Sequence, residues 1–166
     1  LMVPEVNASH TVAIETQRKR FGGKGFIVTN PNCSTIGLII PMAALDRAFG
    51  LEALHVVTMQ ALSGAGYPGV SAMDAVDNVL PDIGDGEEAE KIETEPLKIL
   101  GSWENGRFES REFPISAMTH RVNVRDGHLE ACSVRLKQPA SVEAVEAAFA
   151  NFTSDIDDLE LPTAPR

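Results

Sequence analysis

The stretch from Cys33 to Phe49 limits the fold of this chain more than any other part of it. It is apolar over most of its length and long enough for several helical turns, so other elements have to cover it. Its start is well marked. Phe26-Ile27-Val28-Thr29 is a short apolar, β-branched run and reads as a strand. Asn30-Pro31-Asn32 stops that strand, and the Asn32 side chain is placed to cap a helix. Pro41 lies inside the apolar stretch and is expected to kink it, because proline has no N–H to give to the preceding turn. Gly50 is a suitable C-terminal stop.

Around this helix the sequence predicts a mixed set of elements. Leu1-Met2-Val3-Pro4 reads as the end of a strand, and residues 10–20 are helix-like. Leu54 to Leu62 reads as a buried strand, followed by a loop at Gly64, Gly66 and Gly69. A short helix is expected over Val70–Val79 and a turn-rich loop over Pro81–Gly86. A charged helix from Glu87 to Leu100 follows, disturbed at Pro96. Residues 113–124 and 128–137 read as two strands. Arg125-Asp126-Gly127 lies between them, and Asp-Gly is a strong hairpin signal. Ser141 caps a last helix running to about Phe152, as half a capping box, since Ala144 stands where Glu would complete it. The tail from Leu159 fades into Pro162, Thr163 and Pro165. The fold class is therefore α+β: a mixed β-sheet with helices packed on it, in one domain over 1–166.

With 166 residues, 43% of them hydrophobic, the chain can bury a core built mainly from aliphatic side chains. The net charge of −10 argues against a nucleic-acid surface. Arg18-Lys19-Arg20, with Lys24 nearby, reads as a solvated helix end. No run approaches the ~20 apolar residues of a membrane span, and nothing resembles a signal peptide. Cys33 and Cys132 sit in unlike contexts, so a disulfide between them is not expected and a cytoplasmic setting is. Both ends read as cuts through a longer chain.

Cys33 is the candidate nucleophile. It follows a strand, a Pro turn and an N-cap, so it opens a helix, where free backbone N–H groups and the helix dipole favour a thiolate. A buried structural thiol is the competing reading, and it suits Cys132, mid-strand among alternating residues. A general base is needed as well. His10 sits in a polar helix start and is expected to be exposed; His55, in an apolar strand, is expected to be packed. His120 and His128 flank the hairpin signal, and local pattern does not choose between them. Gly64-Ala65-Gly66-Tyr67-Pro68-Gly69 matches G-x-G-x-x-G, but the residues after it do not provide the second parallel strand of a dinucleotide fold. The loop is better read as backbone that approaches a ligand closely.

Several segments carry a more specific signal. Val3-Pro4-Glu5-Val6-Asn7, Thr29-Asn30-Pro31-Asn32-Cys33-Ser34-Thr35, Thr58-Met59-Gln60-Ala61-Leu62-Ser63-Gly64-Ala65-Gly66-Tyr67-Pro68-Gly69 and Asp77-Asn78-Val79 resemble aspartate-semialdehyde dehydrogenases, especially the archaeal and fungal branch. So do Gly86-Glu87-Glu88, Lys98-Ile99-Leu100, Arg121-Val122-Asn123-Val124 and Gly127-His128-Leu129-Glu130. The matches are collinear along the whole chain. The resemblance implies the second domain of a two-domain enzyme, with the glyceraldehyde-3-phosphate-dehydrogenase-like catalytic fold and the dimer interface. It implies further that the N-terminal dinucleotide-binding domain is absent from this chain.

The resemblance also implies roles. Cys33 matches the nucleophile, Asn32 a residue holding phosphate and intermediate, and Gln60 a residue steadying the reacting centre. His128, not His120, matches the acid/base. Arg121 matches the arginine that grips the substrate carboxylate, Glu88 the reader of its ammonium, and Lys91 a phosphate-binding lysine. Ser63, Gly64, Ala65 and Gly66 match backbone lying against the cofactor, NADP, which the absent domain mainly binds. No metal is implied. Composition alone reads Glu88 and Lys91, at i and i+3, as a surface ion pair, and Arg121 as a strand-edge residue.

The implied reaction is NADPH-dependent reduction of aspartyl 4-phosphate to aspartate 4-semialdehyde through a Cys33 thioester. It belongs to the biosynthesis of the aspartate family of amino acids, lysine, methionine and threonine. A homodimer or homotetramer is implied, and the chain alone is expected not to turn over. Two rivals stand beside this: a related reductase of a CoA thioester such as malonyl-CoA, and an inactive dimerisation module. The catalytic reading requires the Cys33 sulfur within about 6 Å of the His128 ring, close enough to tighten when substrate binds.

Overall fold

A computed structural model of the chain describes residues 1–82, 84, 86–154 and 156–159. In chain order the elements are α1 (Pro4–Asn7), α2 (Ala13–Phe21), α3 (Cys33–Phe49), β1 (Leu51–Gln60), α4 (Ala72–Ala75), β2 (Val79–Pro81), α5 (Glu87–Ile99), β3 (Ser102–Glu104), β4 (Arg107–Glu109), β5 (Ile115–Val122), β6 (Leu129–Leu136) and α6 (Val142–Ala150). Four strands form one mixed sheet in the order β2-β5-β1-β6. The central strand, β1, runs parallel to β5 and antiparallel to β6. Helices α3 and α5 pack on one face of this sheet, and α6 packs on α3.

The covered face of the sheet changes character along its strands. On β1 the inward residues are Leu54, Val56, Thr58 and Gln60, all buried. Their register partners on β5 are Ile115, Ala117, Thr119 and Arg121. On β6, Val134, Cys132 and Glu130 lie opposite Leu54, Val56 and Thr58. One end is therefore apolar, and Leu38, Met42 and Leu45 of α3 with Ile92 of α5 and Phe113 close over it as the core. The other end, at the C-termini of β1 and β5, is polar, and the first turn of α3 sits above it. The opposite face of the sheet presents Met118 and Leu129, 53% and 62% exposed.

Several expectations need correction. The strands on either side of Asp126-Gly127 do not pair as a hairpin, because β1 lies between them. The 123–128 connection instead crosses the end of β1, where Leu62 N–H donates to the Val124 carbonyl (2.8 Å) and Ser63 N–H to that of Arg125 (3.0 Å). The hairpin that exists is β3–β4, turned at Asn105 and Gly106, both with positive φ (51° and 81°). Phe26–Thr29 is not a strand; Thr29 accepts one backbone bond from Met2 and the run has no ladder. Leu1–Pro4 does not end a strand either, as Pro4 opens α1. The helix expected over Val70–Val79 shrinks to α4, and Val79 already pairs with β5. Helices α3 and α5 run through Pro41 and Pro96 as single elements. Of the Pro81–Gly86 loop and the tail after Leu159, residues 83, 85 and 160–166 lie outside the described residues.

Two histidines also exchange their expected places. His10 is buried at 5% exposure: Nδ1 accepts from Asn7 Nδ2 (3.0 Å) and Nε2 donates to the Gly101 carbonyl (3.1 Å). Polar neighbours in sequence hid this contact, which is made 91 residues away. His55 points to the uncovered face and is exposed. Strand alternation sends it opposite to Leu54 and Val56.

Candidate active site

Asn32 builds the turn that carries the sulfur. Its Oδ1 accepts from the N–H groups of Ser34 (2.9 Å) and Thr35 (3.4 Å), a side-chain N-cap. Cys33 thus opens α3, as expected. The cap also uses two of the amides that the sequence reading offered to a thiolate. Among the described residues, the Cys33 N–H is the amide of this turn left without an intrachain acceptor.

His128 comes to Cys33 from the loop before β6, and its Nε2 lies 3.3 Å from Sγ, well inside the expected limit. The other ring nitrogen settles the tautomer: Nδ1 accepts a hydrogen bond from the Ala61 N–H at 3.0 Å. A nitrogen that accepts carries no proton, so the neutral ring bears its proton on Nε2, facing the sulfur. Burial holds the ring below the usual histidine pKa, the Arg121 charge lowers it further, and Glu88 opposes both. The neutral ring therefore presents an N–H to the Cys33 sulfur. His120, the alternative, turns to the other side of β5, its Nδ1 3.2 Å from the Thr58 carbonyl.

Arg121 is no strand-edge surface residue: it is 2% exposed. Nη1 donates to the Ala61 carbonyl (2.8 Å) and Nη2 to Glu88 Oε1 (3.2 Å), while Nε has no partner among the described residues. One residue is thereby held through both of its flanking peptide groups, Ala61 N–H by His128 and Ala61 C=O by Arg121. Glu88 reaches the arginine from the first turn of α5. Lys91, one turn on, is exposed and its Nζ pairs with Glu87 Oε2 at 3.5 Å, so the structure does not bring it into contact with the group. Gln60 is fully buried, with Nε2 donating to Thr58 Oγ1 (3.2 Å) and Oε1 unpartnered. Thr35 and Thr119 also hold buried, unpartnered hydroxyls on elements that face this end of the sheet. Buried polar atoms are usually satisfied, and so many together mark a place built for a polar ligand.

The Ser63–Gly66 segment forms a 3-10 turn over Leu62–Ala65 directly after β1. A Cβ on Gly64 would stand 2.7 Å from His128 Cε1 and 2.9 Å from Arg121 Nη1. The glycine is needed because backbone passes flat against both groups. Sequence reasoning missed Ala61, since alanine carries no chemical signal and its role lies wholly in its backbone. It also missed Glu130, two residues after His128 on β6. This carboxyl faces Ser34, and burial pushes its pKa up to about 7. Both cysteines are free and exposed, so Cys132 is not the buried structural thiol expected of it; partial burial and the neighbouring Glu130 charge raise its pKa.

Chemically, a capped-helix thiol in contact with an imidazole N–H suits acyl transfer: sulfur takes the acyl group and the ring manages a proton on the reacting oxygen. The geometry is the one a cysteine nucleophile needs. Comparison with known proteins narrows the chemistry. The model of the semialdehyde dehydrogenase dimerisation domain matches residues 42–165, and the chain belongs to that family. An aspartate-semialdehyde dehydrogenase of Archaeoglobus fulgidus is 48% identical over 165 residues, covering 99% of this chain and 46% of the relative. A malonyl CoA reductase (NADP) of Metallosphaera sedula is 40% identical over 167 residues, covering 99% and 46%. The crystal structure of aspartate semialdehyde dehydrogenase with NADP from Candida albicans superposes with a TM-score of 0.84 at 39% identity, over 99% of this chain and 48% of that one. The chain thus spans about half the length of the curated relatives it matches. Among the described residues no helix is long and apolar enough to cross a membrane.

Proposed function

We propose that this chain is the catalytic half of an aspartate-semialdehyde dehydrogenase. The observation that carries the reading is the 3.3 Å contact between Cys33 Sγ and His128 Nε2 beside the buried Arg121–Glu88 pair. Cys33 attacks the acyl phosphate of aspartyl 4-phosphate, phosphate leaves, and a thioester forms on sulfur. The Nε2–H of His128 hydrogen-bonds the oxygen of the reduced, tetrahedral species, and the C–S bond then breaks to release the semialdehyde and return the electron pair to the Cys33 sulfur. Asn32 shapes the turn, and the Cys33 N–H and the Gln60 side chain face developing charge.

Arg121 binds the substrate α-carboxylate through its unpaired N–H groups, since a guanidinium fork bonds both oxygens. Glu88, already a partner of Arg121, takes the ammonium. Lys91, on the exposed side of α5, serves the phosphate by exchanging its pair with Glu87 for the anion. NADP fits this chain only at its reacting end. Open space surrounds Gly66, beside a turn that lies against His128. The Gly64–Gly69 loop leads into α4 and a strand antiparallel to β5, which is no dinucleotide fold. Ser63, Gly64, Ala65 and Gly66 therefore line the nicotinamide end, and NADPH, when bound, supplies hydride to the thioester carbon. The family's dimerisation role points to the uncovered sheet face, with Met118 and Leu129, as the surface between two copies.

The test is turnover by the chain joined to its dinucleotide-binding half. Aspartate semialdehyde with phosphate and NADP should be consumed, and malonyl-CoA with NADPH should not. The reverse preference would assign the chain to the CoA-thioester reductases, and loss of neither activity on Cys33→Ser would refute the catalytic reading.

A further inference from the structure

The backbone of the turn that carries Cys33 is held from α5 by a carboxylate side chain. The backbone N–H of Asn32 donates to Glu95 Oε2 at 2.8 Å, across 63 residues of sequence. The other bonds of Asn32 stay inside the turn: Oδ1 accepts from Ser34 and Thr35, and its carbonyl accepts from the Ile36 N–H (3.0 Å). They fix the shape of the turn and not its place relative to the sheet.

We propose that Glu95 is a positioning residue for the nucleophile, holding the Asn32 amide and through it the turn that places Cys33 against His128. The inference rests on the reading of Cys33 as the nucleophile. Glu95 is well set for the task. Its helix, α5, is anchored by Ile92, Pro96 and Ile99, all buried, and Glu93 accepts from the Ala117 N–H of β5 at 3.0 Å. A carboxylate acceptor makes the bond to Asn32 charge-assisted, and so stronger than one between neutral groups. Glu88 and Glu95 are seven residues apart, on the same stripe of the helix. The stripe that holds Arg121 through Glu88 therefore also holds the Cys33 turn through Glu95. One rigid helix sets the spacing between the carboxylate-binding arginine and the sulfur.

The test compares Glu95→Gln, which keeps an acceptor for the Asn32 N–H, with Glu95→Ala and Glu95→Leu, which do not. Iodoacetamide labelling of Cys33 is followed by peptide mass spectrometry, with Cys132 as reference in the same chain, and exchange of the Asn32 amide is read by NMR. Glu95→Gln should stay within about 2-fold of the parent at both sites. The Ala and Leu variants should slow Cys33 by ~10-fold while Cys132 is unchanged, and the Asn32 amide should exchange ~10-fold faster. Equal Cys33 rates in all three variants would overturn the proposal. If Ala and Leu fail to fold, seen as faster Cys132 labelling, Glu95→Gln decides: retained Asn32 protection supports the proposal and lost protection overturns it. A parent Cys33 no more reactive than Cys132 would instead remove the reading of Cys33 itself, and the role of Glu95 with it.

Discussion

Gly64→Ala probes the site with a single methyl. The new Cβ would lie 2.7 Å from Cε1 and 3.0 Å from Nε2 of His128, and 2.9 Å from Nη1 of Arg121. The first of these has to open by about 0.7 Å to reach ordinary contact at 3.4 Å. Neither neighbour can yield freely. The ring is held by the Ala61 N–H and faces Cys33, and Arg121 is held by the Ala61 carbonyl and Glu88. A displacement of this size at a reacting group costs up to ~100-fold in rate. Overpacking alone typically costs about 1–3 kcal/mol of stability, so the variant should fold. The assay is the pH-independent rate of Cys33 alkylation in this chain, and kcat once the chain is joined to its other half. Gly66→Ala is the control: its Cβ meets nothing within 4 Å, and the penalty lies in its φ of +67°. It should cost about 1–3 kcal/mol of stability, because φ +67° with ψ −164° is open essentially to glycine alone, and leave Cys33 reactivity unchanged. Parent-like reactivity in Gly64→Ala would refute the argument that this turn is packed against the catalytic groups.

Arg121→Leu should weaken use of the amino-acid substrate by roughly 30- to 1000-fold, from loss of a bidentate contact worth ~2–4 kcal/mol. It should also lower the melting temperature, since a broken buried pair costs about 3 kcal/mol at the lower end of its range, Glu88 being 20% exposed. Arg121→Lys should rescue only part of the activity, because the ammonium keeps the charge and loses the fork; full rescue would argue against bidentate recognition. Glu130 binds its proton more tightly when folded, at about 7 against 4.5, so it weakens the fold as pH rises through that window. Glu130→Gln should therefore stabilise the chain at pH 8 by roughly 1–2 kcal/mol, after allowance for solvent screening, and add nothing at pH 4. Equal melting shifts at the two pH values would contradict this. His10 and His128 act in the opposite sense: burial lowers both, so their contribution is lost as pH falls below ~6.5. His10→Gln should flatten that acid-side loss in thermal scans.

Where local chemistry decides structure, the sequence was readable. Asn32 capped α3, Gly50 ended it, Ser141 capped α6, and Cys33 stood at a helix start. Strand pairing is non-local, and there reading stopped. Asp126-Gly127 has the composition of a hairpin turn, but nothing near it reports that β1 lies between the flanking strands. Arg121 and His128 still converge, because the connection wraps over the end of β1. Asn105-Gly106 carried an equally good signal and does turn a hairpin. Phe26–Thr29 has strand composition without a ladder. The site was legible mainly through the family resemblance. Cys33, His128, Arg121 and Glu88 lie together in the structure, and Lys91 pairs with Glu87 on the exposed side of α5. The backbone contributions of Ala61 and the half-buried carboxyl of Glu130 left no trace in pattern, because each depends on what the fold brings across from another strand.

The central claim is that Cys33 receives the acyl group. The assembled enzyme, with its dinucleotide-binding half but without reductant, should be mixed with β-aspartyl phosphate, quenched in acid and analysed peptide by peptide. The account predicts an aspartyl adduct on Cys33, removed by hydroxylamine as a thioester is, and absent from Cys132. An active preparation that accumulates no adduct on Cys33, or carries it on Cys132, would contradict the account.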